Sequence, residues 1–287
     1  MQAIIITAYK DFDYLGYLIN SLDDEEIYIF IHVDSQVEDK SNIELLKHNN
    51  RIHVISTRKV IWGSIEHLNA ILDLIRIAKS TGLDFNYYHI ITGQDFMWKS
   101  LDDFKNYFSN DNKHNYISVN KADKSNEFRY KYYYRNDLVN YKKRIGNLFT
   151  KFCYMIQKIF LIHKRIPNNF VIYKGLVYVS ITLDFTNYIL NYIESKEGND
   201  FMKFLKWSFI PEEFFFQTLI MNSSFKNTVV NNNKRFILWE EKHGTQPGIL
   251  DIDDFEPIRK SDSFFIRKIN LKYSNNLIKR IENEIRR

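Results

Sequence analysis

Two adjacent carboxylates stand at the start of a predicted helix, in the stretch PEEFFFQT at 211–218. Proline favours the first turn of a helix, so Glu212 and Glu213 are expected at its N-terminus, where the helix dipole keeps carboxylates ionised. An ionised carboxylate can accept a proton, which is the task of a general base. Acidic residues at helix starts more often only complement the dipole. Because adjacent helical residues point about 100° apart, we expect at most one of the two to face a cleft.

The elements that would position such a carboxylate begin with four alternations of strand and helix in the first hundred residues. Short apolar runs predict buried strands at 2–7, 26–34, 51–56 and 85–93. Amphipathic patterns predict helices at 13–22, 42–48 and 64–80. The alternation predicts an α/β fold with a parallel, Rossmann-like sheet, in which ligands lie at the carboxyl ends of the strands. Later in the chain, a strand is predicted at 169–182 and a helix at 183–195.

Polar, aromatic and small residues follow these strands, where a mononucleotide would bind. They are Tyr9, His32, Asp34, the 58–63 segment, Gly93, Gln94 and Asp95. Neither G-x-G-x-x-G nor G-x-x-x-x-G-K-[ST] occurs in the chain, which argues against a dehydrogenase and against a P-loop nucleotide triphosphatase.

Length and composition constrain the rest of the molecule. The 287 residues are 45% hydrophobic, and no internal repeat or Pro/Gly-rich linker divides them. We expect a single domain over 1–287, with a nucleotide-binding half at 1–110 and an acceptor-binding and catalytic half at 111–287. No apolar run reaches the roughly 20 residues that cross a bilayer and no signal peptide is recognisable, so a cytoplasmic protein is expected. Cys153 stands alone, which excludes an intramolecular disulfide and a cysteine-built zinc site.

Positive charge is concentrated in the middle of the chain. Ten Lys or Arg side chains lie between Arg129 and Arg165, with Asp137 as the one acidic residue. Within this segment, 141–163 has the pattern of a basic amphipathic helix, for whose apolar stripe core packing is favoured over membrane contact. Peripheral membrane contact through 141–163 is a hypothesis that rests on its charge. Nucleic acid is not favoured as a partner, because no zinc-finger spacing, RNP-like motif or recognition helix accompanies the charge.

Six stretches resemble, in order, the motifs of the core-2/I-branching glycosyltransferase family, which also contains the peptide O-xylosyltransferases. They are HVDSQ at 32–36, VIWGS at 60–64, YYHIITGQDFMWKS at 87–100, IPEEFFFQTLIMNSSF at 210–225, KRFILW at 234–239 and SFFIRKIN at 263–270. The resemblance spans about 2–270. It implies a GT-A fold, a nucleotide-sugar donor and inversion at the anomeric carbon without a metal ion. No cofactor is expected besides the UDP-sugar co-substrate.

The resemblance also implies roles for individual residues. Glu213 matches the family's catalytic base, which takes the proton of the acceptor hydroxyl, and Glu212 is left as a helix-start or acceptor-binding residue. Arg235 and Lys268 match basic residues at the donor diphosphate, where two cations would supply the charge stabilisation that a metal supplies in other GT-A enzymes. No Asp-x-Asp motif follows the second strand, and the nearest match, at 251–253, has the pattern of an acidic helix start.

The remaining matches are expected to contact the donor and the acceptor. The donor residues are Tyr9, His32, Asp34, Trp62, Gly63, Gly93, Gln94 and Asp95, and the acceptor-side residues are Glu212, Gly175 and Tyr178. Asp34 is preferred over His32 as a contact to the uracil or ribose, because a buried histidine at a strand end is usually a satisfied polar group. Trp62 and Gly63 would form an aromatic wall with close backbone approach. Met97 replaces the proline of the family's G-x-D-x-P stretch.

The expected activity is transfer of a sugar from a UDP-sugar, of the UDP-GlcNAc or UDP-xylose type, to a hydroxyl of a glycan or lipid-linked glycan, forming a β-linkage. The expected setting is bacterial surface polysaccharide or glycoconjugate synthesis at the inner face of the cell membrane. Two alternatives stay open. The chain could be a GT-A transferase that uses a metal through an atypical carboxylate set, or a non-catalytic sugar-nucleotide or glycan-binding subunit.

Overall fold

The computed structural model describes residues 1–38, 49–136, 138–139, 141 and 143–285. The helix predicted at 42–48 lies outside the described residues, as do Asp137 and Lys142 of the basic segment.

The described part of the chain forms twelve strands, of which seven make up the main sheet. All twelve are β1 (Gln2–Ala8), β2 (Ile27–Val33), β3 (Ile52–Ile55), β4 (Tyr87–Thr92), β5 (Asp95–Met97), β6 (Asn115–Ile117), β7 (Asn120–Lys121), β8 (Tyr173–Lys174), β9 (Val179–Thr182), β10 (Val229–Val230), β11 (Arg235–Ile237) and β12 (Phe265–Arg267). The seven-stranded sheet has the order β10-β6-β9-β4-β1-β2-β3.

The predicted parallel arrangement of the first four strands is confirmed. β2 lies on one side of β1 and β4 on the other, and β3 pairs with the outer edge of β2. Because the chain leaves β1 towards β2 and later returns to the other side of β1, a crevice opens at the carboxyl edge between β1 and β4. Among the described strands of this sheet, only β9 runs against its neighbours, which are β4 and β6, so the expected α/β fold with a mostly parallel sheet is confirmed.

Helices cover both faces of the main sheet. They are α1 (Phe12–Ser21), α2 (Glu66–Ser80), α3 (Leu101–Asn110), α4 (Glu127–Lys131), α5 (Arg144–Ile159), α6 (Leu183–Glu194), α7 (Lys196–Lys206), α8 (Glu212–Met221), α9 (Phe255–Lys260) and α10 (Leu271–Ile285). Alternate side chains of β1 enter different cores, as strand geometry requires. Ile4 and Ile6 belong to the core that contains α1 and α10, and Ala3 and Ile5 to the core that contains α2, α6, α7 and α8. The carboxyl edge of the sheet is therefore held from both faces.

The single strand predicted at 169–182 is wrong in detail. The structure has a 3-10 turn at Pro167–Asn169, then β8, which pairs with β7 in a separate ribbon, and then β9 in the main sheet. The chain changes sheets around Gly175, where a Cβ would lie 1.8 Å from the carbonyl oxygen of Ser118. Apolar patterning cannot show this change, because the residues on both sides of it pack against the same core.

A second sheet brings the end of the chain to the carboxyl edge of the first. β12 pairs in parallel with β11 and antiparallel with β5, in a register that sets Arg267 opposite Asp95. Because β5 follows β4 after two residues, the last residues of β12 lie beside the carboxyl end of β4.

Helix α5 does not follow the expectation that its apolar stripe packs in the core. Gly146 is its one buried residue, whereas Ile145 and Ile159 are 83% and 67% exposed. The polar side of the helix, rather than the stripe, faces the protein, since the Gln157 side-chain amide donates to the Tyr133 backbone oxygen at 3.0 Å. None of the helices within the described ranges combines the length and the hydropathy that crossing a membrane requires.

Candidate active site

A cleft of about 760 Å³ lies at the carboxyl ends of β1, β2 and β4. Its other walls are the 59–63 loop, the 177–178 segment, the start of α8 and the end of β12. The structure brings these predicted site residues to its surface: Tyr9, His32, Asp34, Trp62, Gly63, Gly93, Gln94, Tyr178, Glu212, Glu213 and Lys268. Asp95, Gly175 and Arg235 are not among the residues that line it.

Glu213 lies in the first turn of α8, as Pro211 predicts. Its Oε2 atom accepts a hydrogen bond from Arg129 Nη2 at 2.8 Å. Burial raises the pKa of the Glu213 carboxyl above its usual value, and the nearby Arg129 guanidinium opposes part of that rise. A carboxylate with a raised pKa binds a proton more readily than an ordinary glutamate, which suits a general base.

Glu212 also lines the cleft, so the expectation that at most one glutamate of the pair would face it is wrong. Both can do so because the cleft lies at the N-terminal end of α8 rather than along one side of the helix. Glu212 Oε1 lies 3.0 Å from His67 Nδ1, and His67 Nε2 lies 3.1 Å from Thr7 Oγ1. The second oxygen of Glu212, Oε2, is buried and has no hydrogen-bond partner among the described residues.

His32 and Asp34 both line the cleft, and both already accept hydrogen bonds from the protein. His32 is buried at the end of β2, and its Nε2 atom accepts a hydrogen bond from the Arg58 backbone amide at 3.2 Å. Burial lowers the pKa of His32, so the ring is a neutral acceptor. Asp34 Oδ1 accepts from the Gln36 backbone amide at 3.0 Å, and both residues line the cleft. The preference for Asp34 as a donor contact stays a prediction.

Trp62 and Gly63 form one wall of the cleft. The Trp62 ring is 40% exposed and meets the rings of Phe209 and Tyr141 at centroid distances of 5.5 and 5.9 Å. Gly63 has φ +81°, a left-handed conformation that favours glycine, and its carbonyl oxygen accepts from the Ile210 amide at 3.0 Å. This bond ties the aromatic wall to the residue that precedes Pro211, so wall and carboxylates are held together.

Asp95 lies beneath the cleft rather than in it, which corrects its placement among the donor contacts. It is 1% exposed, and its Oδ2 atom accepts from Thr92 Oγ1 at 3.0 Å. Its Oδ1 atom accepts from Arg267 Nη1 at 3.2 Å. Asp95 is thus a positioning residue for Arg267, which lines the cleft between Thr92 and Lys268.

The structure also corrects the cation pair predicted for the diphosphate. Lys268 lines the cleft, whereas Arg235 is 9% exposed and its Nη1 atom donates to Ser180 Oγ at 2.9 Å. Its Nη2 atom donates to backbone oxygens of the main sheet, so the guanidinium joins the two sheets. Arg267, which does line the cleft, lies beside Lys268 in its place. The stretch FFIRK contains both residues, because Arg267 directly precedes Lys268.

The two remaining acceptor-side residues have different places. Tyr178 lines the cleft, with the Arg267 Cζ atom 4.9 Å from its ring centroid. Gly175 does not line it. Its backbone amide donates to the Glu213 carbonyl oxygen at 2.9 Å, so Gly175 supports the first turn of α8 and is not placed as an acceptor contact.

No group of three or more His, Cys, Asp or Glu side chains in the described part of the chain is placed to hold a metal ion. The literal Asp-x-Asp match at 251–253 starts a 3-10 helix, as its pattern predicts, and Asp251 pairs with Lys242 at 2.7 Å. Metal independence itself stays a prediction.

Several functional side chains escaped sequence reasoning. Besides Arg267, they are the cations Lys10 and Lys143, and His67 beside Glu212, whereas Lys59 belongs to the 58–63 segment that was expected at the site. Lys10 follows the predicted strand-end residue Tyr9, so strand geometry could have indicated it. His67 and Arg129 come from helices outside the matched motifs, and nothing in their local sequence indicates that they meet the two glutamates.

Comparison with known proteins decides the family. The model of the Core-2/I-Branching enzyme family matches residues 4–259. The chain belongs to the core-2/I-branching enzyme family. The resemblance read from the six motifs is confirmed, and membership supports a glycosyltransferase role.

Individual relatives are distant. Xylosyltransferase 2 of Rattus norvegicus is 23% identical over 231 residues, which cover 79% of this chain and 25% of that protein. The N-acetyllactosaminide beta-1,6-N-acetylglucosaminyl-transferase of Homo sapiens is 24% identical over 287 residues, which cover 94% of this chain and 68% of that protein. Among solved structures, the apo form of mouse xyloside xylosyltransferase 1 matches with a TM-score of 0.42 and 9% identity, over 93% of this chain and 97% of that one. The chain thus spans about a quarter of the length of xylosyltransferase 2.

Proposed function

We propose that this chain is an inverting glycosyltransferase that moves a sugar from a UDP-sugar to a hydroxyl of a glycan acceptor without a metal ion. The observation that carries the proposal is the placement of Glu213 in a cleft whose other walls present Arg267 and Lys268. A base and a pair of cations are the groups that a direct displacement at a sugar phosphate needs.

Glu213 is the proposed base. The acceptor oxygen attacks C1 of the donor sugar from the face opposite the diphosphate, so a new C1–O bond forms while the bond from C1 to the β-phosphate oxygen breaks. The hydroxyl proton passes to Glu213, and UDP leaves with the bonding electron pair. Attack from the opposite face inverts C1, so an α-linked donor yields a β-linkage. The raised pKa of Glu213 supports its role as the proton acceptor.

Arg267 and Lys268 are proposed to stabilise the leaving diphosphate, in place of the pair Arg235 and Lys268 expected from the sequence. Arg267 is held by Asp95 and by the Thr92 hydroxyl, so its guanidinium is oriented before the donor binds. Fixed cations in a partly enclosed cleft stabilise developing negative charge without reorganising during the reaction.

The finer identity of donor and acceptor belongs to this proposal as well. Asp34 would accept hydrogen bonds from the uracil or ribose, and Trp62 would pack against the donor. The donor is UDP-GlcNAc or UDP-xylose, the sugars to which the names of the two curated relatives refer. The acceptor is a glycan or lipid-linked glycan in bacterial surface polysaccharide or glycoconjugate synthesis. We propose that the chain acts at the cytoplasmic face of the cell membrane, which it contacts peripherally through 141–163.

The test is hydrolysis of UDP-sugars by the purified chain in the presence of EDTA, with water standing in for the acceptor. We expect turnover of one donor of the panel, and Glu213→Gln should lower it at least about 100-fold because the base is lost. Glu256→Gln, which makes the same change on the surface, is the matched control and should retain full turnover.

Each alternative has its own outcome in this experiment. Turnover that requires added manganese would contradict the proposed role of Arg267 and Lys268 and favour a metal-dependent transferase. Donor binding by calorimetry without turnover, with or without a glycan acceptor, would favour a binding subunit. Turnover that persists in Glu213→Gln would reject Glu213 as the base.

A further inference from the structure

Helix α5 presents an apolar stripe to solvent. The stripe consists of Ile145, Leu148, Phe149, Phe152, Met155 and Ile159, all exposed. It continues past the end of the helix into Phe160, Leu161 and Ile162, of which Leu161 is 80% exposed. An apolar surface of this extent on a water-facing helix marks a contact site.

The stripe is separated from the side of α5 that packs on the protein. Gly146, Cys153 and Gln157 recur at helical spacing on the packed side, where Gly146 is buried and Gln157 pairs with the backbone of Tyr133. Tyr154 on the same side packs its ring against Tyr132 at a centroid distance of 4.9 Å. The stripe lies on the opposite side, so the contacts that hold α5 against the protein do not involve it.

Charge identifies the partner. Arg144, Lys151 and Lys158 recur every seven residues and therefore follow one border of the stripe. No Asp or Glu occurs from 138 to 183. A second copy of the chain would bring two such cationic borders together, and a nucleic acid would leave the stripe in water. An anionic bilayer provides both an acyl region for the apolar stripe and negative headgroups for its cationic border.

The length of α5 and its position at the cleft define how it would lie. Its 16 residues span about 24 Å, too short to cross a bilayer, so the helix would lie in the plane of the headgroups. The segment that leads into it reaches the cleft, because Leu138 and Lys143 line the cleft and the Tyr141 ring meets Trp62 at 5.9 Å. Docking of the stripe would bring the cleft mouth to the membrane surface.

We propose that α5 is an in-plane membrane anchor for an anionic lipid surface, and that it presents the cleft to an acceptor carried by a lipid in that surface. The choice of acceptor rests on the proposed glycosyltransferase function, whereas the docking itself rests on α5 alone.

The test is co-sedimentation of the full chain with vesicles of phosphatidylcholine alone and of phosphatidylcholine mixed with phosphatidylglycerol. We expect binding to the mixed vesicles that weakens as salt rises. The pair Lys151→Glu and Lys158→Glu should weaken it at least about ten-fold through lost attraction. The pair Leu148→Ser and Phe152→Ser should weaken binding to mixed vesicles through lost burial in the acyl region.

Lys196→Glu together with Lys203→Glu is the matched control, since it makes the same change at the same seven-residue spacing on exposed positions of α7. This control should bind vesicles like the unchanged chain. Equal binding to both vesicle types, or loss of binding in the control alone, would overturn the proposal. Self-association that Leu148→Ser and Phe152→Ser abolish, without vesicle binding, would assign the stripe to a second copy instead.

Donor hydrolysis separates this proposal from the proposed function, because the four substituted α5 residues do not line the cleft. Vesicle binding without turnover of any UDP-sugar would retain the anchor and reject the transferase. Turnover without vesicle binding would retain the transferase and reject the anchor. If both hold, mixed vesicles should stimulate transfer to a lipid-linked glycan in the unchanged chain and not in the Lys151→Glu and Lys158→Glu variant.

Discussion

At the scale of single residues, the contact between Arg129 and Glu213 sets the properties of the proposed base. Burial raises the pKa of Glu213, the Arg129 guanidinium opposes that rise, and the Glu212 carboxylate adds to it. Arg129 also donates to the Ile210 carbonyl oxygen at 3.3 Å, so it holds the turn that leads into α8. One side chain therefore tunes the base and supports its backbone.

Replacing Arg129 should move the pH dependence of the reaction. The base acts only when ionised, so kcat/KM falls as the pH drops through the pKa of Glu213. Arg129→Gln removes the charge that opposes burial, which raises this pKa further and shifts the acidic limb of the profile to higher pH. The measurement is kcat/KM for donor hydrolysis as a function of pH.

Two further variants make this shift specific. Arg129→Lys keeps a positive charge, so its acidic limb should lie between those of the unchanged chain and Arg129→Gln. Lys131→Gln removes a cation from the exposed side of the same helix, where it pairs with Glu127, and should leave the limb in place. An unchanged acidic limb in Arg129→Gln would show that Glu213 does not control the profile.

At the scale of secondary-structure elements, the three-stranded sheet gives two arginines different tasks. Arg235 begins β11 and points between the sheets, with its Cζ atom 4.7 Å from the Phe265 ring centroid. Arg267 ends β12 and faces the cleft beside Tyr178. The pairing of β12 with β5 places Arg267 over Asp95, so the small sheet brings one cation to the cleft and keeps the other as a structural bridge.

The two arginines should therefore respond differently to the same substitution. Arg267→Met should lower kcat/KM for the UDP-sugar by about 100-fold, because a cation at the leaving diphosphate is lost. Arg235→Met should instead lower the stability by about 1–3 kcal/mol, because buried carbonyl oxygens lose their donor, while kcat/KM of the folded enzyme changes little. Steady-state kinetics and thermal unfolding of both variants are the measurements. Loss of turnover in Arg235→Met with an unchanged Tm would place Arg235 at the donor.

Local patterns predicted some of these placements and not others, for a physical reason. The strands up to β4 are continuous apolar runs, and Pro211 alone indicates that Glu213 opens a helix. Motif matching selected Arg235 and Lys268 and passed over Arg267. Which side of the small sheet each arginine side chain takes depends on pairings between β5, β11 and β12. The contact of Arg129 with Glu213 joins residues 84 positions apart, and no local pattern reports such a contact.

At the scale of the whole molecule, the structure exposes apolar side chains on α5 and buries a lysine beside it. Lys164 follows α5 and is 6% exposed, with its Nζ atom donating to the Phe204 carbonyl oxygen at 3.0 Å and to Ser208 Oγ at 2.7 Å. Its backbone amide donates to the Lys131 carbonyl oxygen. Lys164 thus fastens the segment after the proposed anchor to α4 and α7.

Burial lowers the pKa of Lys164 to about 6 in the folded protein, against 10.5 for an ordinary lysine. Between these two values the unfolded chain binds a proton that the folded chain does not, so Lys164 makes the stability rise with pH in this window. Lys164→Met removes that proton difference. It should flatten the rise of Tm with pH above about 6 and increase Tm at pH 7 by roughly 2–6 °C.

The hydrogen bonds of Lys164 do not reverse this expectation, because Ser208 Oγ still donates to the Phe204 carbonyl oxygen at 3.1 Å after the ammonium is gone. Thermal unfolding across this pH range is the measurement, and Lys206→Met, at an exposed position of α7, is the control that should leave the slope unchanged. A Tm of Lys164→Met that follows the same slope as the unchanged chain would mean that Lys164 keeps its proton when the protein folds. The segment after α5 would then hold a buried charge, and its attachment to α7 would weaken rather than strengthen when Lys164 is replaced.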